Sequence, residues 1–262
     1  MKEYTEFAKN IALEAGDLLL SHFRSDKMEI SYKSRTDLVT NMDKASEALL
    51  YERVHSRYPE HSIVAEEGSL KETNHDIIWY IDPLDGTNNY AHGLPFFAVS
   101  IGVYSQHKNT ILSGVVYNPF LNEMFFATRD EGAFLNNNII KTSSIESLGT
   151  AIIATGFPYE KENPETNNSK QFSTMLPLIQ GIRRMGSAAL DLSYVACGRL
   201  DGYWEQNLQP WDICAGMIIA DEAGATVTNY DGNAYYPTMS KVIASNKNIY
   251  HELHSAIKMS YA

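Results

Sequence analysis

The chain has 262 residues, with 21 Lys and Arg against 32 Asp and Glu, a formal net charge of −11. That acidic balance argues against nucleic acid as the primary partner, because such binders meet phosphates with a basic surface. Apolar residues make up 44% and charged residues 20%, enough to bury a core and exclude general disorder.

Tyr4, Phe7, Ala8, Ile11, Ala15, Leu18 and Leu19 recur at helical spacing and predict an amphipathic helix over residues 1–23. Glu3, Glu6 and Glu14 interrupt it, so it lacks the apolar run of a signal peptide, and no later stretch is long enough to span a bilayer. A cytoplasmic chain with no membrane partner is expected. The polar stretch Ser31 to Asn41 leads to a second helix, Asp43 to Tyr58, with Ala45, Ala48, Leu49 and Val54 expected inward and Pro59 as its stop. Lys33 in that stretch reads as a solvated charge.

From Ser62 onward, short apolar runs bounded by Gly, Pro, Asn or charged residues read as strands, within residues 62–68, 76–82, 96–104, 111–119 and 123–128. Asp130-Glu131-Gly132 and Asn136 to Asn138 mark hairpin turns. Ser143 to Thr150 is the expected boundary, and the polar segment Tyr159 to Lys170 the expected mobile loop. Strands and helices then alternate: strand 150–157, helix 169–180, strand 182–185, helix 187–197, strand 201–206, helix 211–223, strands 225–230 and 241–246, and a last helix. The organisation predicted is an α+β half over residues 1–145 and an α/β half over residues 146–262. Cys197 and Cys214 have no CxxC spacing and read as two reduced, buried residues.

The chemistry-bearing residues are carboxylates. In the run Ile77 to Tyr90 an apolar strand is expected to end at Asp82, since Pro83 cannot continue a ladder. Gly86 then permits a tight backbone, and Thr87 can open a helix whose N–H groups face the same point. Asp82 and Asp85 would converge there, and carboxylates that close repel unless a cation lies between them; a hard divalent ion is the usual solution. Taken alone, the run fits an Asp-rich turn with an N-cap equally well. Glu66-Glu67 follows another strand, Asp212 stands at the start of an apolar helix where it could be an N-cap, and Asp43 in Thr36 to Asp43 is either an N-cap or a site residue.

These motifs, in this order, resemble the inositol monophosphatase family of magnesium-dependent, lithium-sensitive sugar phosphatases. The patterns D-P-[IL]-D-G-T-x-N-[FY] and W-D-x-x-A-G-x-x-[IL]-x-x-E-A-G are similar to Asp82 to Tyr90 and Trp211 to Gly224, and Arg183 to Leu192 and Gly198 to Glu205 are similar to bacterial members. Cys214, Ala225 and Ala65 replace residues more usual in the family and touch no candidate ligand. The resemblance implies a layered αβαβα sandwich. It implies two or three Mg²⁺ ions held by Glu66, Asp82, the Leu84 carbonyl, Asp85 and Asp212, with Asp82 bridging. Glu66 and Thr87 would orient an attacking water, Asp43 accepting a hydrogen bond from Thr87, and Gly86 and Thr87 N–H groups would bind the phosphate. Gly186, Ser187, Ala188 and Glu205 would meet the sugar, and the family likeness favours a homodimer.

The implied reaction is hydrolysis of a small sugar or polyol phosphate, inositol 1-phosphate first, without a covalent intermediate. The same chemistry on fructose 1,6-bisphosphate, a 3′-phosphonucleotide, NADP or histidinol phosphate stays open. A haloacid-dehalogenase-type phosphatase, whose D-x-D-G-T has carboxylates two apart, fits less well than Asp82 and Asp85 with Pro83 between them. A non-catalytic regulatory or protein-binding module on the same scaffold is the alternative of another class. Arg183 and Arg184 could contact a larger phosphate, line an interface or be solvated.

Overall fold

Period-two burial along the central strands gives the molecule two cores on opposite faces of one sheet. In a computed structural model the described residues are 1–260 apart from Lys27, Lys33, residues 35–37, Glu160, Lys161, Pro164 and Glu165. Lys33, Thr36 and Asp37 therefore lie outside the described residues. The first half runs α1 (Lys2–His22), β1 (Ile30–Tyr32), β2 (Leu38–Thr40), α2 (Asn41–Arg57), β3 (Ser62–Ala65), β4 (Leu70–Lys71), β5 (Ile77–Asp85), α3 (Thr87–Ala91), β6 (Ala98–Ser105), β7 (Thr110–Asn118), β8 (Glu123–Thr128), β9 (Ala133–Leu135) and β10 (Asn138–Ile139). The second continues with β11 (Ile152–Thr155), α4 (Ser169–Met175), β12 (Gly181–Arg183), α5 (Ala188–Ala196), β13 (Gly202–Gln206), α6 (Pro210–Glu222), β14 (Ala225–Thr228), β15 (Lys241–Asn246) and α7 (Tyr250–Met259).

An eight-stranded sheet has the order β10-β9-β8-β7-β6-β5-β3-β4 and is antiparallel except where β3 runs parallel to β5. A five-stranded sheet has the order β12-β11-β13-β15-β14, with β11 parallel to both its neighbours. Helices α1 and α2 cover the outer face of the first sheet, α5 and α6 lie between the sheets, and α4 and α7 cover the second. The result is the αβαβα sandwich. Trp79 and Ile81 of β5 and Val99, Ile101 and Val103 of β6 enter the outer core, while Tyr80 and Ala98 enter the inner core with α5 and α6. Among the described residues no helix is long and apolar enough to cross a membrane.

Helix α6 is buried on almost every side, which is why it is apolar all round. Its approach to the first sheet is set by Gly102 and Gly114, which pair across β6 and β7. A Cβ on Gly114 would stand 2.6 Å from the Ala215 carbonyl oxygen and 2.8 Å from its Cα, backbone that cannot move aside.

Several expectations change on folding. Strand β5 does not end at Asp82: it runs through Pro83 to Asp85 as a bulge, because Asp82 faces Ser100 and Asp85 faces Ala98 on β6, three steps against two. The inner face of α2 is Met42, Asp43, Ser46, Glu47, Leu50 and Val54, whereas Ala45 and Ala48 are exposed and Leu49 half-buried. Helical periodicity is present there, but polar residues occupy the buried stripe. The 169–180 helix stops at Met175 and tightens into a 3₁₀ turn around Pro177. In the segment expected to be mobile, Asn168 is fully buried, donating to Thr155 Oγ1 (2.7 Å) and the Gly156 carbonyl (2.6 Å) and accepting from Trp204 Nε1 (2.8 Å). Cys214 is buried as expected, but Cys197, capping α5, is only half-buried.

The Gly114→Ala variant is expected to lose about 2 kcal/mol or more through overpacking against α6, read as a lower urea midpoint with an unchanged m-value.

A carboxylate-lined candidate active site

Three local devices bring the acidic residues to one cavity. The β5 bulge turns Asp82, Leu84 and Asp85 toward the space between the sheets, and Gly86 then adopts φ +94°, a left-handed conformation that starts α3 at Thr87. The N-termini of α5 and α6 open onto the same space. The turn after β3 carries Glu66, and it is held by Glu47, whose carboxylate accepts the Glu67 N–H (2.6 Å) and the Ser69 N–H (2.8 Å). Glu66, Asp82, Leu84, Asp85, Gly86, Thr87, Gly186, Ser187, Ala188, Glu205 and Asp212 all line this cavity.

Each aspartate is anchored through one oxygen. Asp82 Oδ1 accepts the Leu84 N–H at 3.0 Å, Asp212 Oδ2 accepts the Gln209 N–H at 2.7 Å, and Asp85 Oδ2 accepts from Ser187 Oγ (2.6 Å) and the Ala189 N–H (2.7 Å). Asp85 therefore caps α5 from the other half of the chain, where the helix dipole favours a negative charge. Asp212 is not an N-cap: it is the third residue of α6 and reaches back to the cap, Gln209. No further hydrogen bond from the described residues reaches Asp82 Oδ2 or Asp212 Oδ1, while the Ala188 N–H also supports the Asp85 carboxylate.

Asp43 stands behind the cavity, fully buried, and does not line it. It too is a third helical residue: Oδ2 accepts from the Thr40 N–H (2.8 Å) and Thr40 Oγ1 (2.6 Å) in a capping box. Its Oδ1 lies 2.9 Å from Thr87 Oγ1, which is also 3.0 Å from the Leu84 carbonyl, so one hydroxyl proton is shared between two acceptors. Ser46 Oγ donates to the Pro83 carbonyl, fixing the bulge from the same helix. Burial raises the Asp43 carboxyl and its hydrogen bonds to Thr40 and Thr87 oppose the rise.

Crowding sets the electrostatics. Burial first, and then the charges of Glu66, Asp85 and Asp212, push Asp82 well above the ordinary carboxylate range. Asp212 is raised well above that range by burial and by Glu66, Asp85 and Glu205. Asp85 is raised by burial to about 6, with Ser187, the Ala189 and Ala188 N–H groups and Arg184 opposing. Glu205 is raised to about 7 by burial, against its bond from Tyr203 OH (2.6 Å) and the charge of Arg184. Asp85, Glu205 and Asp212 keep some exposed surface because they face the cavity, while protein surrounds them elsewhere.

The cavity is lined by carboxylates and by neither His nor Cys, an oxygen donor set that suits a hard cation such as Mg²⁺. Carboxylates held in place by backbone N–H groups around one cavity fit that role. Among the described residues no group of three or more Asp, Glu, His or Cys side chains is arranged closely enough, as it stands, to hold a metal ion.

Sequence reasoning missed four contributors. Glu47 lies four residues after Asp43 on the same face of α2, a spacing that could have revealed it. Asn89 Nδ2 donates to the Phe96 and Met185 carbonyls, both at 2.7 Å, tying α3 to the loop before α5. Gly156 leaves room for Glu205: a Cβ there would fall on the carboxylate. Asp191, 1% exposed, lines the cavity from α5. Arg184 also lines it, whereas Arg183 is exposed and donates to the Ile182 carbonyl. The Ser187 hydroxyl is used by Asp85 and the Leu190 N–H, so it serves positioning.

A raised carboxyl pKa means the folded chain holds protons that the unfolded chain releases, so stability falls as pH rises from about 4 through 7, the window of Asp85 and Glu205. His61, lowered to about 4 by burial and the nearby His75 and Lys71 charges, works oppositely, losing stability as pH falls below about 6.5. The Asp82→Asn variant isolates the first effect, because Asn keeps the acceptor for the Leu84 N–H. In EDTA it is expected to be more stable than the parent by on the order of 2 kcal/mol at pH 8, shrinking toward pH 5, as read from urea unfolding.

Over residues 1–260 the chain matches the Inositol monophosphatase family. It is 42% identical over 259 residues to the inositol-1-monophosphatase of Synechocystis sp., covering 98% of this chain and 89% of that one. It is 40% identical over 251 residues to Nus factor SuhB of Escherichia coli K12, covering 95% and 93% respectively. The solved structure of extragenic suppressor protein SuhB from Bartonella henselae superimposes with a TM-score of 0.90 at 36% identity, covering 97% of each chain. With the carboxylate cavity, the sandwich and the whole-length match in agreement, the chain belongs to the inositol monophosphatase family.

Proposed function

We propose that the chain is a Mg²⁺-dependent phosphate monoester hydrolase that converts inositol 1-phosphate to inositol and phosphate without a covalent intermediate. The observation that carries this reading is the set of carboxylates lining one cavity, with Asp82, Asp85 and Asp212 each held in place by a backbone N–H. Glu66, Asp82, the Leu84 carbonyl, Asp85 and Asp212 would hold two or three ions. Bound there, Mg²⁺ would neutralise the ester and acidify the attacking water, the task a phosphate monoester demands of an acidic protein.

The chain's own residues do the rest. Thr87 presents its hydroxyl to the water, and Asp43 with the Leu84 carbonyl fixes where that hydroxyl's proton points. Glu66 shares the orientation of the water. Gly86 and Thr87 offer N–H groups to phosphate oxygens. Gly186, Ser187, Ala188 and Glu205 form the wall that meets the polyol, and Glu205, raised to about 7, is able both to accept and to donate toward a hydroxyl near neutrality. Lithium sensitivity, a homodimer and a cytoplasmic location belong to the same proposal and rest on family likeness.

Identity to a protein named Nus factor SuhB favours a second reading, a regulatory role carried by the scaffold's surface. The two are separable. Phosphate release from inositol 1-phosphate is expected to need Mg²⁺, to stop in EDTA, and to exceed that from fructose 1,6-bisphosphate or a 3′-phosphonucleotide in kcat/KM. The Asp85→Asn variant is expected to lose on the order of a thousandfold in kcat with its circular dichroism retained. Full activity in EDTA, or an aspartyl phosphate trapped on Asp82, would refute the hydrolytic mechanism. For Thr87→Ala and Asp43→Asn, kcat is expected to drop about a hundredfold or more with KM changed less than threefold, since both act on the water and not on substrate binding.

A further inference from the structure

Glu47 is a buried carboxylate whose partners all lie on another element. It is 4% exposed on the inner face of α2, and among the described residues no Lys or Arg pairs with it. Burying an acid with no cation beside it is costly, and an apolar residue would suit that face of the helix better. Both its oxygens go to one turn: Oε2 accepts the Glu67 N–H at 2.6 Å and Oε1 the Ser69 N–H at 2.8 Å. A carboxylate matches two N–H donors in this way, whereas a carboxamide offers one acceptor and turns its NH₂ group toward the other donor.

The turn so gripped carries Glu66 into the cavity, while Glu47 itself does not line it. The Ala65 N–H closes the turn on the Ser69 carbonyl (3.2 Å), and the Glu66 N–H donates to the Ile81 carbonyl (3.2 Å), one residue before Asp82. Ser46, next to Glu47 on α2, donates to the Pro83 carbonyl at 2.9 Å. Two adjacent residues of one helix thus hold the two segments, the Glu66 turn and the Asp82 to Leu84 bulge, that would share an ion. Resting on the hydrolase reading above, we propose that Glu47 is a positioning residue that fixes Glu66 against Asp82 and the Leu84 carbonyl and so sets the affinity of the site for its divalent ion. It touches neither the ion nor the ester, so it acts on ion affinity and leaves the chemical step alone.

The test measures Mn²⁺, a paramagnetic stand-in for Mg²⁺, through the electron paramagnetic resonance signal of the free ion, in the parent and in Glu47→Gln without substrate. Alongside it, phosphate release from inositol 1-phosphate is followed as Mg²⁺ is varied. Glu47→Gln is expected to weaken one Mn²⁺ site about tenfold or more and to raise the Mg²⁺ needed for half-maximal rate by a similar factor. At saturating Mg²⁺ its kcat, and its KM for the ester, are expected to stay within about threefold of the parent. Unchanged Mn²⁺ affinity overturns the proposal even where the variant is less stable to urea, because it marks a purely structural role. A loss of kcat that saturating Mg²⁺ does not restore overturns it as well. Should Glu47→Gln fail to fold, Glu47→Asp decides: it keeps the charge on a shorter stem that cannot reach both N–H groups, and Mn²⁺ affinity equal to the parent's refutes the proposal. A parent that binds Mn²⁺ but releases no phosphate overturns the hydrolase reading, while the Mn²⁺ comparison still decides for or against Glu47. A parent that binds no Mn²⁺ overturns both.

Discussion

Buried like charges are the constraint around which this molecule is arranged. Asp82 is almost wholly inaccessible, yet it faces Glu66, Asp85 and Asp212, and each of those charges makes its ionisation harder. Folding tolerates the cluster because every aspartate in it has one oxygen committed to a backbone N–H, a charge-assisted bond of the stronger kind. Those N–H groups come from a strand bulge and from two helix starts, so the anchoring depends on the layer of α5 and α6 lying between the sheets.

That layer also explains why the halves of the chain are inseparable at the site. Asp85 belongs to the first sheet and caps a helix of the second half, while Asn89 clamps the loop that precedes the same helix. Close contact of Ala215 with Gly114 fixes how deeply α6 sits, and with it the place of Asp212. Placement of Asp85 and Asp212 thus depends on core packing, which is stiff.

Much of this was legible in the sequence, and the failures share one cause. Apolar periodicity located α1 and the central strands, since burial there follows hydrophobicity. It misplaced the inner face of α2, because Asp43, Ser46 and Glu47 are buried to serve Thr87, the Pro83 carbonyl and the Glu66 turn. Pro83 read as a strand end because a bulge depends on the register of β6, which no local pattern encodes. The family motifs exposed Asp82, Asp85 and Asp212, which the structure brings to one cavity with Glu66 and Glu205. Asp191 was invisible for the opposite reason: an acid in the first turn of a helix looks like a dipole partner, and only burial without a donor marks it as something else.

The departures described above, the β5 bulge and the crowded carboxylates, gather at the cavity. Trp79, Trp204, Phe97 and Phe125 are fully buried in the layers around it, and burial on that scale contributes of order 2 kcal/mol per large side chain. That reserve is what permits carboxyl groups to remain raised in pKa, bulged backbone to persist in β5, and an acid to stand without a partner in α5. A cavity satisfied from within would be more stable and would have nothing left to offer a ligand. In this chain the carboxylates of Glu66, Asp82, Asp85, Glu205 and Asp212 line one space, and their oxygens define what that space can bind.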